Sequence, residues 1–137
     1  MAELMLPSLF DLSEKVALVT CGNKGLGKAM ARGFAEAGAS VTLASRSAGE
    51  LEHTASEIRA ASGAKVEYCV ADMVDRKQVD NLARTALERM GRVDILVNNA
   101  GSNTPRSTEA IRDEDWDRII EMNLSSCMRL TRLRCRK

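Results

Sequence analysis

Short apolar runs alternate along the chain with longer segments in which apolar residues recur every three or four positions. Four runs rich in valine, leucine and isoleucine predict strands over residues 16–20, 41–44, 66–70 and 93–97. The segments between them have the spacing of amphipathic helices. Strands that alternate with helices are typical of βαβ units, so the pattern predicts an α/β fold with a parallel sheet.

Glycines predict where the first three helices end. Gly38, Gly63 and Gly91 each follow the last apolar position of a helical segment. A fourth helix is predicted to begin near Asp113, a suitable N-cap that is followed by further acidic residues. On the first helix, the residues predicted to be buried are Leu26, Ala29, Met30, Gly33, Phe34 and Ala37. No repeat or linker interrupts the chain, so residues 1–137 are predicted to form a single domain.

The overall charge is nearly balanced. Twenty basic and nineteen acidic residues leave a net charge of +1, which excludes a chain built globally for nucleic acid or an anionic membrane. No apolar run is long enough to span a bilayer. A basic tail over residues 129–137 either binds a polyanion or simply ends a helix with cations that complement its dipole. The basic residues of this tail are Arg129, Arg132, Arg134, Arg136 and Lys137.

The cysteines argue against a metal site. The four cysteines, Cys21, Cys69, Cys127 and Cys135, are too far apart in the sequence to form a close ligand pair. The first ten residues have an acid where a signal peptide has cations, and a proline interrupts their short apolar stretch. We therefore expect a cytoplasmic protein with free thiols and no bound metal.

A glycine-rich segment follows the first predicted strand and opens the first predicted helix. Backbone N–H groups at such a junction, together with the positive end of the helix dipole, bind anions such as a pyrophosphate. A turn that merely connects a strand to a helix is the alternative, but the strand, loop and helix stand in the order that a dinucleotide site requires. The candidate binding residues are Gly22, Asn23, Lys24, Gly25, Leu26 and Gly27.

The end of the second predicted strand indicates which dinucleotide binds. An acidic residue there would bond the ribose hydroxyls of NAD, but no carboxylate occurs between Ser40 and Gly49. Ser45 and Arg46 occupy this place instead, and an arginine forms paired hydrogen bonds with a 2′-phosphate. Lys24 adds a second cation from the loop. Either cation alone would be interpreted as a solvated surface residue, but the two together favour NADP over NAD.

These motifs resemble the amino-terminal half of a short-chain dehydrogenase/reductase, from about Phe10 to Arg132. The family pattern Thr-Gly-x-x-x-Gly-x-Gly matches residues 20–27, except that Cys21 replaces the first glycine. The Asn-Asn-Ala-Gly signature is present unaltered at residues 98–101. The resemblance implies a doubly wound Rossmann-type parallel sheet, here truncated after the fourth strand and the fourth helix.

The same resemblance implies roles for individual residues. Residues 22–27 would hold the pyrophosphate, Arg46 and Lys24 the 2′-phosphate, and Asp72 with Met73 the adenine. The ribose next to the nicotinamide would contact Asn99, Ala100 and Gly101. Asn123 matches the family's active-site asparagine.

Asn123 can also be considered without the resemblance. It shares a helical face with apolar neighbours, so the pattern predicts a buried amide that needs hydrogen-bond partners. A capping or solvent-facing asparagine is the alternative. The neighbours on this face are Trp116, Ile119, Ile120 and Cys127.

The chain lacks the family's proton donor. The family uses a tyrosine whose pKa is lowered by a lysine four residues further on, assisted by a serine. The only tyrosine here is Tyr68, and Asp72 stands four residues after it. We therefore predict that this chain by itself does not turn over a carbonyl substrate, and that a small-molecule substrate binds only to a full-length form.

Three functions stay open at this point. The first is the cofactor-binding half of an NADP-dependent oxidoreductase that acts on an alcohol/carbonyl pair, of the sugar-acid dehydrogenase or 3-oxoacyl reductase type. The second is a non-catalytic nucleotide-binding or interaction module, and the third is a non-functional truncated product. In a sheet that stops at the fourth strand, that strand is an open edge, which predicts a homo-oligomer formed through it.

Cys21 is the main departure from the family pattern. If its position requires a positive φ, a side chain strains the loop. If Gly22 takes over the role of the missing glycine instead, the cysteine is merely tolerated.

Overall fold

The computed structural model describes residues 9–134 and the side chains of residues 9–132. Its centre is a sheet of four parallel strands in the order β3-β2-β1-β4. The strands are β1 (Val16–Thr20), β2 (Ser40–Ser45), β3 (Val66–Val70) and β4 (Ile95–Val97). In the register of the sheet, Leu18 of β1 lies opposite Thr42 of β2 and Leu96 of β4. The predicted α/β class and parallel sheet are confirmed.

Five α-helices are described. They are α1 (Gly25–Glu36), α2 (Ala48–Ser62), α3 (Arg76–Met90), α4 (Asp113–Ile120) and α5 (Ser126–Arg134). A π-helical turn (Glu121–Ser125) joins α4 to α5, so these segments form the single fourth helix that the sequence predicts. A short 3₁₀ turn (Thr108–Ala110) precedes α4.

The predicted ends of α2 and α3 have a clear structural cause. Gly63 and Gly91 adopt the left-handed conformation there, with φ of 70° and 78°, and each donates its backbone N–H to a carbonyl of the last turn. Ser47 and Asp75 cap the beginnings of the same two helices.

The helices cover both faces of the sheet. On one face, α1 and α2 pack against Ala17, Val19, Val41 and Leu43, and the buried Leu51 and Ile58 of α2 lie in the same cluster. On the other face, α3 and α5 cover Leu18 and Ala44 with residues that include Val79, Leu82 and Leu130. Helices on both faces make the sheet doubly wound, and the carboxyl ends of its strands meet at one edge.

The prediction of which face of α1 is buried is wrong. The buried residues of α1 are Gly27, Ala31 and Ala35, whereas Leu26 is 77% exposed and Ala29 is also exposed. Small side chains allow the helix to lie close to the sheet, and the larger residues then fall to its sides. Apolar periodicity predicts that the segment is a helix. It does not determine which face is buried, because two neighbouring faces of α1 both have apolar or small residues at helical spacing.

The prediction of a buried Asn123 is also wrong, since this residue is exposed, and so is Trp116 on the same helical face. The residues that face the core are Met122, Ser126 and Leu130, at intervals of four. They face α3, and Arg129 donates to Asp80 of α3 beside them, with Nε 3.1 Å from Oδ1. Packing on α3 therefore decides the orientation of this helix.

The fourth strand lies at the edge of the described sheet, as the sequence predicts. Ile95, Leu96 and Val97 are only half-buried. Of the basic tail, Cys135 to Lys137 lie outside the described residues, so a polyanion partner stays a prediction.

Three further predictions concern metals, membranes and thiols. Within residues 9–134, no group of three metal-ligating side chains comes together. The helices described over this range are too short or too polar to cross a membrane. Cys21, Cys69 and Cys127 are free thiols.

Candidate functional site

A cavity of about 360 Å³ opens at the carboxyl ends of the strands. Its walls come from the segments that follow all four strands and from the α4–α5 helix. Eight of the predicted cofactor residues line it, namely Asn23, Lys24, Ser45, Arg46, Asp72, Met73, Ala100 and Gly101. The other residues that line it are Cys21, Ser47, Glu50, Ala71, Ser102, Arg118 and Met122. Clefts at this edge of an open parallel sheet are where such folds bind ligands.

The other residues predicted to bind the cofactor do not line the cavity, and two of them, Gly22 and Gly27, pack closely against its neighbours. Gly27 lies where an added Cβ would stand 2.2 Å from the carbonyl oxygen of Cys21 and 2.6 Å from Nδ2 of Asn99. At Gly22, an added Cβ would meet Leu43 Cδ2 at 2.9 Å. These two glycines let the loop lie directly against β2 and the Asn99 segment. Gly25 and Leu26 lie exposed at the first turn of α1.

Cys21 has the left-handed conformation that favours glycine, with φ of 50°. The position therefore does require a positive φ, which supports strain in the loop over simple tolerance. Gly22 does not adopt a positive φ, so it does not replace the missing glycine. Burial raises the pKa of the Cys21 thiol, while the positive charges of Arg46 and Lys24 oppose this shift.

Thr20 and Asn99 join the glycine loop to the Asn-Asn-Ala-Gly segment. The buried Thr20 hydroxyl accepts hydrogen bonds from the backbone N–H groups of Asn99 (3.0 Å) and Ala100 (2.9 Å). In return, Nδ2 of Asn99 donates to the carbonyl oxygens of Thr20 and Cys21, at 3.1 and 3.3 Å. These four hydrogen bonds hold the segment after β1 against the segment after β4.

The first turn of α1 begins directly after Asn23 and Lys24 of the cavity wall, and no side chain caps its amide groups. Lys24 is the N-cap residue, and it forms no side-chain capping bond. The amides of this turn have no helical carbonyl to bond to, so they are ready to bind an anion. That the glycine loop binds a phosphate stays a prediction.

Arg46 and Lys24 both line the cavity, and Arg46 directly follows the buried Ser45 at the end of β2. Both cations are exposed. Across residues 9–132, neither of them has an ion-pair partner within 4.0 Å. Their charge is therefore available to a ligand with an anionic group.

On the β3 side, backbone hydrogen bonds order the segment that contains Asp72 and Met73. The side-chain oxygen of Gln78 accepts from the Asp72 backbone N–H at 2.9 Å, and Asp72 Oδ1 accepts from the backbone N–H of Val74 at 3.1 Å. Met73 is buried. A carboxylate and an apolar side chain therefore lie next to each other in the wall of the cavity.

Asn123 holds the Ser102 segment onto the helix, although its side chain is exposed. Its Oδ1 accepts from the backbone N–H of Ser102 at 3.2 Å, and its Nδ2 donates to the carbonyl oxygens of Ser102 (2.9 Å) and Ile119 (2.8 Å). The residue lies in the π-helical turn, a distortion that is frequent at functional sites. Its predicted need for partners is thus met, but by backbone groups at the rim of the site.

Glu50, Arg118 and Met122 line the cavity and were missed by sequence reasoning. For Glu50, the signal was the Ser-x-x-Glu pattern of residues 47–50, which puts a carboxylate in the first turn of the helix after β2. For Arg118 and Met122, a spacing of four just before Asn123 places both on one helical face.

Comparisons with known proteins agree with this geometry. The family model described as short chain dehydrogenase matches residues 15–137. A (5R,7aS)-5-hydroxy-7a-methyl-1-oxo-2,3,5,6,7,7a-hexahydro-1H-indene-carboxyl-CoA reductase from Mycobacterium tuberculosis is 38% identical over 122 residues, which cover 88% of this chain and 47% of that protein. A 3-oxoacyl-[acyl-carrier-protein] reductase from Thermotoga maritima is 34% identical over 122 residues, which cover 89% of this chain and 49% of that protein.

Among solved structures, L-sorbose reductase from Gluconobacter frateurii, complexed with NADPH and L-sorbose, superposes with a TM-score of 0.88 at 31% identity. The match covers 91% of this chain and 48% of that one. The chain thus spans about half the length of the curated relatives it matches.

Proposed function

The chain belongs to the short-chain dehydrogenase family, and on that premise we propose that its cavity binds NADP(H) as the cofactor half of an oxidoreductase. The observation that carries the proposal is the position of Arg46 and Lys24. Both line the same cavity as the glycine loop and the Asp72–Met73 segment, at the place where a dinucleotide would carry its 2′-phosphate.

The residues of the cavity fit each part of such a cofactor. The uncapped amides of α1 suit the pyrophosphate, and the guanidinium and ammonium groups suit the 2′-phosphate. Asp72, Met73 and the neighbouring Ala71 would hold the adenine, while Ala100 and Gly101 would contact the ribose next to the nicotinamide. When bound, the nicotinamide supplies hydride transfer to or from a carbonyl carbon.

The relatives support an alcohol/carbonyl pair as the substrate of the whole protein. A 3-oxoacyl thioester and a ketose, the substrate classes named for two of them, both contain a carbonyl that a hydride reduces. Asn123 would lie at the rim nearest to the reacting atoms. No tyrosine occurs among the described residues that line the cavity, and Tyr68 packs on β3 with the α1–α2 cluster. We therefore propose cofactor binding without turnover for these 137 residues alone.

The proposal is tested by titrating the purified chain with NADPH and with NADH in a calorimeter. We expect NADPH to bind at least about tenfold more tightly, because two cations face its additional phosphate. No carbonyl substrate should then cause NADPH oxidation. Failure of both dinucleotides to bind at millimolar concentration would contradict the proposal, and so would tighter binding of NADH.

We also propose that the chain associates through β4. An edge strand presents unpaired backbone groups to solvent, and its side chains here are only half-buried. Sedimentation experiments should detect dimers whose population grows with protein concentration. A strictly monomeric sample over a hundredfold range of concentration would contradict this part of the proposal.

A further inference from the structure

Glu50 lies in the same cavity as Arg46 and Lys24, with a charge opposite to theirs. We propose that Glu50 is a specificity-determining residue whose carboxylate limits the preference for NADP over NAD. The inference rests on the proposed function, because it concerns the affinity of the same site for two dinucleotides. The choice between the two cofactors is usually determined by residues at the end of β2. Glu50 lies beyond that segment, in α2.

The Glu50 carboxylate is held in place by the glycine loop. Nδ2 of Asn23 donates to Glu50 Oε2 at 2.5 Å, and Asn23 itself is buried. The carbonyl oxygen of Asn23 accepts from the hydroxyl of Thr54, one turn further along α2, at 2.9 Å. Two residues of α2 therefore bond to Asn23, one to its side chain and one to its backbone carbonyl. Glu50 is exposed, but its carboxylate cannot leave the cavity without breaking this part-buried hydrogen bond.

This placement differs from the usual role of a glutamate at this position. In a capping box, the glutamate side chain bonds back to the N–H of the N-cap residue. Here only half of the box is present, since the Ser47 hydroxyl accepts from the Glu50 N–H at 3.4 Å. The Ser47 N–H donates instead to the hydroxyl of Ser45, and the Glu50 carboxylate faces Asn23. The carboxylate thus lies in the first turn of α2 and also lines the cavity.

The charge of Glu50 has unequal effects on the two cofactors. NADP differs from NAD by a 2′-phosphate, which is attracted by Arg46 and Lys24 and repelled by a carboxylate in the same cavity. NAD has a neutral hydroxyl at that position, so the carboxylate changes its affinity much less. Arg46, Lys24 and Glu50 together contribute one net positive charge to the cavity, which Asp72 and Arg118 also line.

The test uses the chain with Glu50→Gln. Glutamine keeps an oxygen that accepts from Asn23, so the loop stays bound to α2 while the charge is removed. We expect NADPH affinity to rise about three- to tenfold, as screened repulsion over several ångströms implies, and NADH affinity to change by less than about twofold. The gain should shrink as the salt concentration increases.

The matched control is Glu52→Gln. Glu52 lies on the same helix, is exposed and does not line the cavity, so this variant makes the same change in net charge at a different place. It should leave both affinities unchanged. Equal gains in NADPH affinity for the two variants would assign the effect to overall charge and would overturn the proposal.

A second variant, Glu50→Ala, separates charge from structure. It removes both the charge and the acceptor for Asn23, so both dinucleotides should bind more weakly while their affinity ratio still moves toward NADPH. An unchanged ratio in both Glu50 variants overturns the inference and leaves the proposed function intact. A wild-type chain that binds neither dinucleotide overturns both.

Discussion

Replacing Arg46 with alanine is expected to weaken NADPH binding about 10- to 100-fold and to leave NADH binding almost unchanged. Hydrogen bonds to a charged partner contribute about 1.5–3 kcal/mol, and Arg46 would form them with the 2′-phosphate that NADH lacks. The side chain is exposed and has no ion-pair partner within 4.0 Å across residues 9–132, so its removal breaks no ion pair in that range.

Calorimetric titration of the variant with both dinucleotides measures this effect. The control is Arg84→Ala, which removes an equal charge from the exposed face of α3, away from the cavity. This control should bind both cofactors as the wild type does. An equal loss of NADPH and NADH affinity in Arg46→Ala would mean that Arg46 supports the loop and does not recognise the 2′-phosphate.

Replacing Gly27 with alanine is expected to have the largest effect on stability. The added Cβ would lie 2.2 Å from the carbonyl oxygen of Cys21 and 2.9 Å from its carbonyl carbon, which are backbone atoms that cannot rotate away. Overpacking of this kind costs about 3 kcal/mol. The loop must shift away from Asn99, so NADPH binding should fall below detection.

Gly33→Ala is the matched control on the same helix. Nothing lies within 4 Å of its added Cβ, so alanine should raise the free energy of unfolding by about 0.5–1 kcal/mol through helix propensity. Urea denaturation of both variants measures the difference. If Gly27→Ala unfolds at the wild-type urea concentration, the close approach of α1 to the loop does not contribute to stability.

Much of the fold could be predicted from the sequence because it depends on local signals. The limits of β1 and β3 agree with their apolar runs, and Gly63 and Gly91 end their helices in the left-handed conformation that glycine favours. The register of the sheet then brings the segments after all four strands to one edge. For this reason, residues predicted separately, such as Lys24, Arg46 and Asp72, line one cavity.

Other features could not be predicted because they depend on which surfaces meet. Leu26 and Trp116 have the periodicity of core residues, yet both are exposed, because the small residues of α1 and the Met122 face of the last helix fit the adjoining surfaces better. Glu50 follows a helix-capping pattern, and only its proximity to Asn23 brings it into the cavity.

The sequence by itself therefore determined the order of strands and helices, the ends of α2 and α3, and the residue types of the candidate site. Each of these depends on the conformation or chemistry of a short segment. The tertiary structure decided which face of each helix is buried and which backbone groups the Asn123 amide bonds to. It also placed the Glu50 carboxylate in the same cavity as Arg46 and Lys24. These depend on contacts between segments far apart in the chain, such as the hydrogen bond between Asn23 and Glu50, whose residue numbers differ by 27. No local pattern specifies such a contact.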